Sequence, residues 1–274
     1  MEKLELTLSR IQLPDGTCPM DLPFDPAEYE AMRAQWANEV ETPKDGWDCP
    51  KCHGKGYTVL VNEHGHMESN RCSCMDARQS LARMQQSGLG ETLEAYTFDS
   101  FQTPEKWQKD MKHRAMDYVA DNEGKWFAAV GAVGAGKSHI CTAICGELLK
   151  AGLDVRYMRW RDDGSRLKAA VNDSEEYLRM IEPLKSARVL YIDDLFKTQR
   201  DKPVTQGDVN LAFELLDARY IDRKKITVIS SEKTLAEMLD IDEAVGSRIY
   251  ERCKQSCVNL TGSKNWRLRK AVTL

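Results

Sequence analysis

Residues 131–138 read Gly131-Ala-Val-Gly134-Ala135-Gly136-Lys137-Ser138, the spacing GxxxxGK[ST]. Each residue type in that pattern meets one need of a bound triphosphate. The glycines let the backbone curl with its N–H groups turned onto phosphate oxygens. Lys137 supplies a cation for the β- and γ-phosphates, and the Ser138 hydroxyl is a ligand for Mg²⁺. The apolar run Trp126-Phe-Ala-Ala-Val130 before the loop reads as a strand, and His139 to Lys150 reads as a helix whose positive dipole end faces the anion. Gly131, Gly134, Ala135, Gly136, Lys137, Ser138 and His139 are therefore the expected ATP–Mg²⁺ contacts.

A second run, Arg188-Val-Leu-Tyr-Ile192, ends in Asp193-Asp194. An apolar strand with carboxylates at its C-terminal end delivers them to the crevice where open parallel sheets bind ligands. Asp193 is expected to hold Mg²⁺ with Ser138, largely through water, and Asp194 to deprotonate the attacking water as general base. The run Ile226-Thr-Val-Ile-Ser230-Ser231-Glu232 ends in polar residues too. There Ser231 is the candidate for a γ-phosphate contact, and a plain surface turn is the competing reading.

The cysteines supply a different chemistry. Cys49, Cys52, Cys72 and Cys74 form two close pairs separated by a loop, the ligand pattern of a closed tetrahedral Zn²⁺ site with no position open for catalysis. His53, His64 and His66 leave a three-Cys, one-His set open. Cys141 and Cys145 sit four apart on the expected helix and read as small core residues. Cys253 and Cys257 have the same spacing and receive the same reading, while Cys18 stands alone.

The elements that position these groups follow from composition and pattern. The chain has 274 residues, enough for one sizeable core and a small module. No apolar run reaches membrane-spanning length and the N-terminus lacks a signal-peptide core, so a cytoplasmic protein without a membrane partner is expected. Residues 1–45 are acidic and proline-rich, with one helix plausible from Pro26 to Val40, capped by Asp25 and carrying Tyr29, Met32, Trp36 and Val40 on its apolar side. Residues 46–76, with one strand-like run at Tyr57–Val61, are too polar to build a core and would need a metal staple. Residues 77–96 read as a linker helix. From 97 to 274 strands and helices alternate, the signature of an α/β domain with a parallel central sheet. Its strands are expected at Phe127–Val130, Val155–Met158, Val189–Ile192 and Lys225–Ile229. The net charge of −4 does not announce a nucleic-acid binder, although residues 252–274 carry six basic side chains and no acidic one, read either as a solvated tail or as phosphate-facing.

Taken in order along the chain, these motifs resemble the DnaC/DnaI-type replicative helicase loaders, AAA+ P-loop ATPases related to ATPase subunits that assist insertion-element transposases. The resemblance covers most of residues 46–274. It rests on the Cys cluster, Tyr96-Thr-Phe-Asp-Ser-Phe101, Gly131–Ser138, Val189–Leu195, Ile229-Ser-Ser231 and Gly246-Ser-Arg248-Ile-Tyr-Glu-Arg252. It implies an ATPase stimulated by DNA, self-assembly on nucleotide binding, a hexameric replicative helicase as partner and single-stranded DNA as co-ligand. It further implies that Arg248 or Arg252 acts as an arginine finger on a neighbour's γ-phosphate, Arg252 being favoured by register. Arg267, in Asn265-Trp266-Arg267, is similar to the C-terminal sensor arginine of such proteins. Many AAA+ proteins place Asn where this chain has Ser230-Ser231-Glu232.

The function expected first is thus an ATP-driven helicase loader acting in replication initiation. A regulator of DNA transposition, binding duplex DNA and a transposase, is the alternative. A small-molecule kinase would need an arginine-bearing substrate lid, and a zinc-dependent DNA-binding module would need no ATP turnover.

Overall fold

The computed structural model describes residues 25–39, 49–86, 90–198, 202–262 and 265–266. The chain divides into two compact units, Met1–Met75 and Asp76–Leu274.

In the first unit, helix α1 (Pro26–Glu39) precedes an antiparallel hairpin of β1 (Tyr57–Val61) and β2 (Met67–Arg71), with Val59 opposite Ser69. β2, Met-Glu-Ser-Asn-Arg, is exposed throughout and has no apolar alternation, which is why pattern alone finds only β1. Asp25 accepts the Ala27 N–H at 2.8 Å, so the expected cap forms. The helix is fastened by polar groups. The Asn38 side-chain amide exchanges two 2.8 Å hydrogen bonds with Val59 N–H and C=O, doing for β1 what a third strand would do, and Lys55 Nζ donates to Asn38 O at 3.1 Å. Tyr29, Met32 and Trp36 stay 43%, 60% and 68% exposed, and Val40 lies outside the described residues.

The second unit begins with α2 (Cys74–Gln86, from Asp76 onward), α3 (Gly90–Ala95) and α4 (Lys106–Ala120). A parallel sheet follows with strand order β4-β5-β6-β3-β7, where β3 is Phe127–Gly131, β4 Val155–Arg159, β5 Val189–Asp193, β6 Ile226–Ser231 and β7 Cys257–Leu260. The intervening helices are α5 (Lys137–Lys150), α6 (Trp160–Ala169), α7 (Ser174–Ser186), α8 (Gln206–Ile221), α9 (Leu235–Ile241) and α10 (Glu243–Cys253).

Strand periodicity builds the two cores. Phe127, Ala129, Val189, Tyr191, Ile226 and Val228 face one way, onto Met111, Ile140 and Ile144 of α4 and α5. Ala128, Val130, Leu190, Ile192 and Ile229 face the other, onto Leu211, Leu215, Val245 and Ile249 of α8 and α10. A sheet covered on both sides needs strands apolar at every position, and all five residues of β3 are buried. The four expected strands are present, β6 starting one residue late. β7 adds a fifth, on the far side of β3, with Ala128 opposite Cys257.

This strand corrects the reading of Cys253 and Cys257. Their four-residue spacing does not place them on one helix face, because α10 ends at Cys253, Lys254 adopts φ 30°, and Cys257 opens β7. Cys141 and Cys145 do share a buried face of α5, and burial pushes both thiols up. Lys264, Arg267, Arg269 and Lys270 of the basic tail lie outside the described residues.

Candidate nucleotide site and thiol cluster

The phosphate loop spans the C-terminal end of β3 and the first turn of α5. Two of its glycines are required by space as well as by φ. Gly131 has φ 98°, and a Cβ there would lie 2.2 Å from Leu260 O of the neighbouring β7. Gly136 caps α5 at φ 87°, and a Cβ would meet the Phe101 ring at 2.8 Å. Ala135 is buried, and Gly134 O accepts the Trp266 N–H at 3.0 Å, which ties the C-terminal segment to the loop.

Lys137 is 6% exposed and donates to Gly131 O at 2.9 Å and Ala132 O at 2.8 Å. Burial holds its ammonium below the ordinary lysine range, against the pull of Glu232 and Asp194. An anionic phosphate would relieve that penalty.

Asp193 sits at the centre of a cage of hydroxyls. Oδ1 accepts from Ser138 Oγ at 3.1 Å, Tyr191 Oη at 2.7 Å and Ser230 Oγ, while Oδ2 accepts from Tyr157 Oη at 3.1 Å. The Ser138–Asp193 pair joins residues 55 apart in sequence, as a shared Mg²⁺ site requires. Tyr191 was within reach of sequence reasoning, since it lies two residues before Asp193 on one strand face. Tyr157 was not, because only the parallel pairing of β4 with β5 sets it opposite Tyr191.

Asp194 turns into the cavity with φ 58°, its N–H bonded to Ser230 Oγ at 2.9 Å and its carboxylate to Lys197 at 2.8 Å. The cavity, about 340 Å³, is lined by the loop and by Asp194, Lys197, Glu232 and Trp266. Its other wall is Tyr96, Ser100, Phe101 and Gln102. His139 belongs to this wall. Its ring stacks on Tyr96 at 4.6 Å and 12°, meets Phe101 edge-on at 5.0 Å, and places Nε2 2.9 Å from Thr97 O. Burial lowers its pKa, so the neutral imidazole predominates at pH 7.

Two expected site residues are placed elsewhere. Ser231 is fully buried, donating to Leu195 O at 2.6 Å and accepting the Lys233 N–H at 3.0 Å; it braces the turn after β5, and Glu232 faces the cavity instead. Arg252 is 2% exposed and spends its guanidinium on Gly124 O (3.0 Å), Tyr220 O (2.8 Å) and Lys225 O (3.2 Å), stacked over Trp126. A finger must leave its own subunit, so the register that favoured Arg252 is corrected. Arg248, one turn earlier, stays a quarter exposed, holding Asp217 at 2.8 Å above the Phe213 ring.

In the first unit Cys49, Cys52, Cys72 and Cys74 are all buried, and their sulfurs lie within 4.8 Å of one another. Four sulfurs at about 2.3 Å from a tetrahedral ion are about 3.8 Å apart. Cys49–Cys72 measures 3.8 Å and Cys52–Cys74 3.5 Å. Gly56 N–H points at Cys52 Sγ at 3.3 Å, a bond that favours thiolate. Burial pushes the Cys74 thiol up, whereas for Cys52 the Gly56 N–H and neighbouring thiols overcome burial and bring it down to about 7. The donor set fits a divalent soft ion. None of His53, His64 and His66 is part of the cluster among the described residues.

The family described as IstB-like ATP binding protein matches residues 58–272. The chain belongs to this family. It is 32% identical over 234 residues to the phage-like element PBSX protein XkdC of Bacillus subtilis, covering 82% of this chain and 86% of that one. It is 23% identical over 193 residues to the replicative helicase loader DnaC of Escherichia coli, covering 67% of this chain and 75% of DnaC. Among solved structures, the replication initiator DnaA bound to AMPPCP and single-stranded DNA superposes with a TM-score of 0.51 at 17% identity, over 65% of this chain and 54% of DnaA, a likeness of fold. The IstB-like chain is thus an ATP-binding P-loop protein of the AAA+ kind, for which Mg²⁺ is the usual companion of the nucleotide. No helix among its described residues is long and apolar enough to cross a membrane.

Proposed function

We propose that this chain is an ATPase that loads a hexameric replicative helicase onto single-stranded DNA. The observation that carries the proposal is the pairing of a complete nucleotide cavity with a separate four-thiol unit, in a chain similar to DnaC over two thirds of its length. ATP binds with its phosphates on Gly131–Ser138 and its base toward Tyr96 and His139. Ser138 and Asp193 would hold Mg²⁺, which would supply Lewis-acid polarisation of the γ-phosphate. Asp194 takes the proton of the attacking water, and Arg248 of an adjacent copy neutralises charge in the transition state. Nucleotide state then biases self-assembly and grip on the helicase, with DNA stimulating turnover. The first unit, including residues 1–45, contacts the helicase.

The test is native mass spectrometry of the protein with the replicative helicase of its own host, with and without ATP. A nucleotide-sensitive complex on the hexamer is expected. No complex in any nucleotide state sinks the loader and leaves a transposition regulator, which instead retains duplex DNA together with a transposase.

Two further outcomes follow from the same reading. Tyr96→Ala should raise KM for ATP by roughly tenfold at unchanged kcat, because a stacked aromatic contributes to binding alike in ground and transition states. An unchanged KM would place the base elsewhere. Zinc should copurify with the protein, and Cys52→Ser or a strong chelator should remove it. Limited proteolysis would then cut within residues 49–75 while basal ATP turnover persists, since a metal-stapled unit folds only with its metal. A protein that stays protease-resistant without zinc would show the cluster to be dispensable.

A further inference from the structure

Lys197 is placed unlike any other cation near the nucleotide cavity. Its Nζ lies 2.8 Å from Asp194 Oδ2 and 2.9 Å from Glu232 Oε1, so one ammonium bridges the two carboxylates that face the cavity. The three side chains are each about a third exposed, dry enough for the pairs to count and wet enough to exchange partners. The turn that carries Asp194 and Lys197 is held tightly. Asp194 and Phe196 both have positive φ, Lys197 N–H closes on Asp194 O at 2.9 Å, and Leu195 and Phe196 are fully buried, Phe196 packing edge-on against Trp160. Lys197 therefore reaches Asp194 from a fixed origin. Its ammonium is held above the ordinary range: burial alone would lower it, and the two carboxylates outweigh that.

Lys197 also lines a second cavity, about 560 Å³, on the other side of the turn. Besides Lys197, that cleft carries five basic side chains, among them Arg161, Arg166 and Lys202, against three acidic ones, Asp162, Asp163 and Asp208, and so keeps an excess of positive charge. Lys168 is paired with Asp208, whereas among the described residues no carboxylate pairs with Arg161, Arg166 or Lys202. The cleft is thus cationic, and Lys197 stands in the wall between it and the nucleotide.

We propose that Lys197 is a latch on hydrolysis: it occupies Asp194 and Glu232 at rest, and a polyanion in the neighbouring cleft draws it away. A base must have a free lone pair and proton affinity. An ammonium on Oδ2 occupies the lone pair that the proton of the attacking water needs, so the latched site binds ATP but turns it over slowly. Phosphodiester groups in the cleft compete for the same ammonium and return Asp194 to the water. This rests on the assignment of Asp194 as general base, and it gives the expected DNA stimulation a physical route.

The test uses the full chain without helicase, so that it stands apart from the loader question. Lys197→Gln keeps length and hydrogen bonding but removes the charge, and Lys197→Arg keeps the charge. Steady-state ATP turnover is measured with and without a single-stranded oligodeoxythymidylate. Lys197→Gln should raise basal kcat by roughly fivefold, the scale of one partly exposed ion pair, at unchanged KM. It should also lose most of the stimulation by the oligonucleotide, while Lys197→Arg stays close to the parent. A fall in basal kcat at constant KM overturns the latch and makes Lys197 a positioning residue for Asp194. A rise in KM for ATP with ADP affinity unchanged also overturns it, making Lys197 a γ-phosphate ligand. Unchanged kinetics remove Lys197 from the mechanism. If the parent has no ATP turnover at all, it is the ATPase reading that fails.

Discussion

Lys137→Ala abolishes ATP turnover, lowering kcat by about a thousandfold or more, and leaves the apo fold standing. The scale is that of losing one preorganised charge aimed at a developing negative charge in a water-poor site. Lys137 is the buried cation of the loop, and its bonds to Gly131 O and Ala132 O hold it there. Removing the side chain loses these two bonds but also relieves the desolvation of a buried ammonium, so little net stability goes with it. The measurement is paired: ATP turnover, and thermal unfolding with and without Mg·ATP. A ligand at a hundred times its Kd stabilises a folded protein by about 2.7 kcal/mol. The parent should therefore show an upward shift in Tm with nucleotide, and Lys137→Ala should show little. A variant that keeps both turnover and shift would mean that the nucleotide sits elsewhere. A variant that keeps DNA loading without hydrolysis would favour a zinc-dependent binding module.

Arg248→Ala and Arg252→Ala are expected to fail in opposite ways. Arg248 holds Asp217 through an ion pair that is about a quarter to a third exposed, a contact of about 1 kcal/mol or less. Its loss should leave Tm nearly unchanged, yet lower kcat by about a thousandfold if it completes a neighbour's site. Arg252→Ala strips three inward carbonyls of their donors and opens a gap beside Trp126. Each unsatisfied buried group costs about 1–3 kcal/mol, so a loss of roughly 3–5 kcal/mol is expected, visible as a fall in Tm of about 10 °C. Mixing decides the matter. Inactive Lys137→Ala and inactive Arg248→Ala proteins, combined, should recover part of the turnover, because some interfaces then pair an intact phosphate loop with an intact Arg248. No recovery, together with a normal rate for Arg248→Ala alone, would rule out a shared site.

The nucleotide chemistry was legible in the sequence because it is local. A loop of eight residues must be contiguous to wrap a phosphate, and glycine is required where Gly131 meets Leu260 O and Gly136 meets Phe101. The paired thiols were legible for the same reason, since two short loops bring each pair together. Buried strands announced themselves by continuous apolar runs. β7 did not, because Cys257-Val-Asn-Leu260 is short and mixed, and it becomes a strand only by pairing with β3.

Three features were decided by the tertiary structure alone. The sequence places Arg248 and Arg252 on adjacent turns and favours Arg252 by register, and only packing against Trp126 and Tyr220 shows that Arg252 is spent inside the fold. Ser231 and Glu232 are neighbours in a polar strand end, and the turn after β5 decides which of them faces the cavity. The cage around Asp193 draws hydroxyls from α5, β4, β5 and β6, the most distant lying 55 residues from Asp193 in sequence. Local motifs are set by chain geometry, which the sequence carries. Burial and the choice of partner are set by which elements pack together, and that is fixed only when the sheet closes around them.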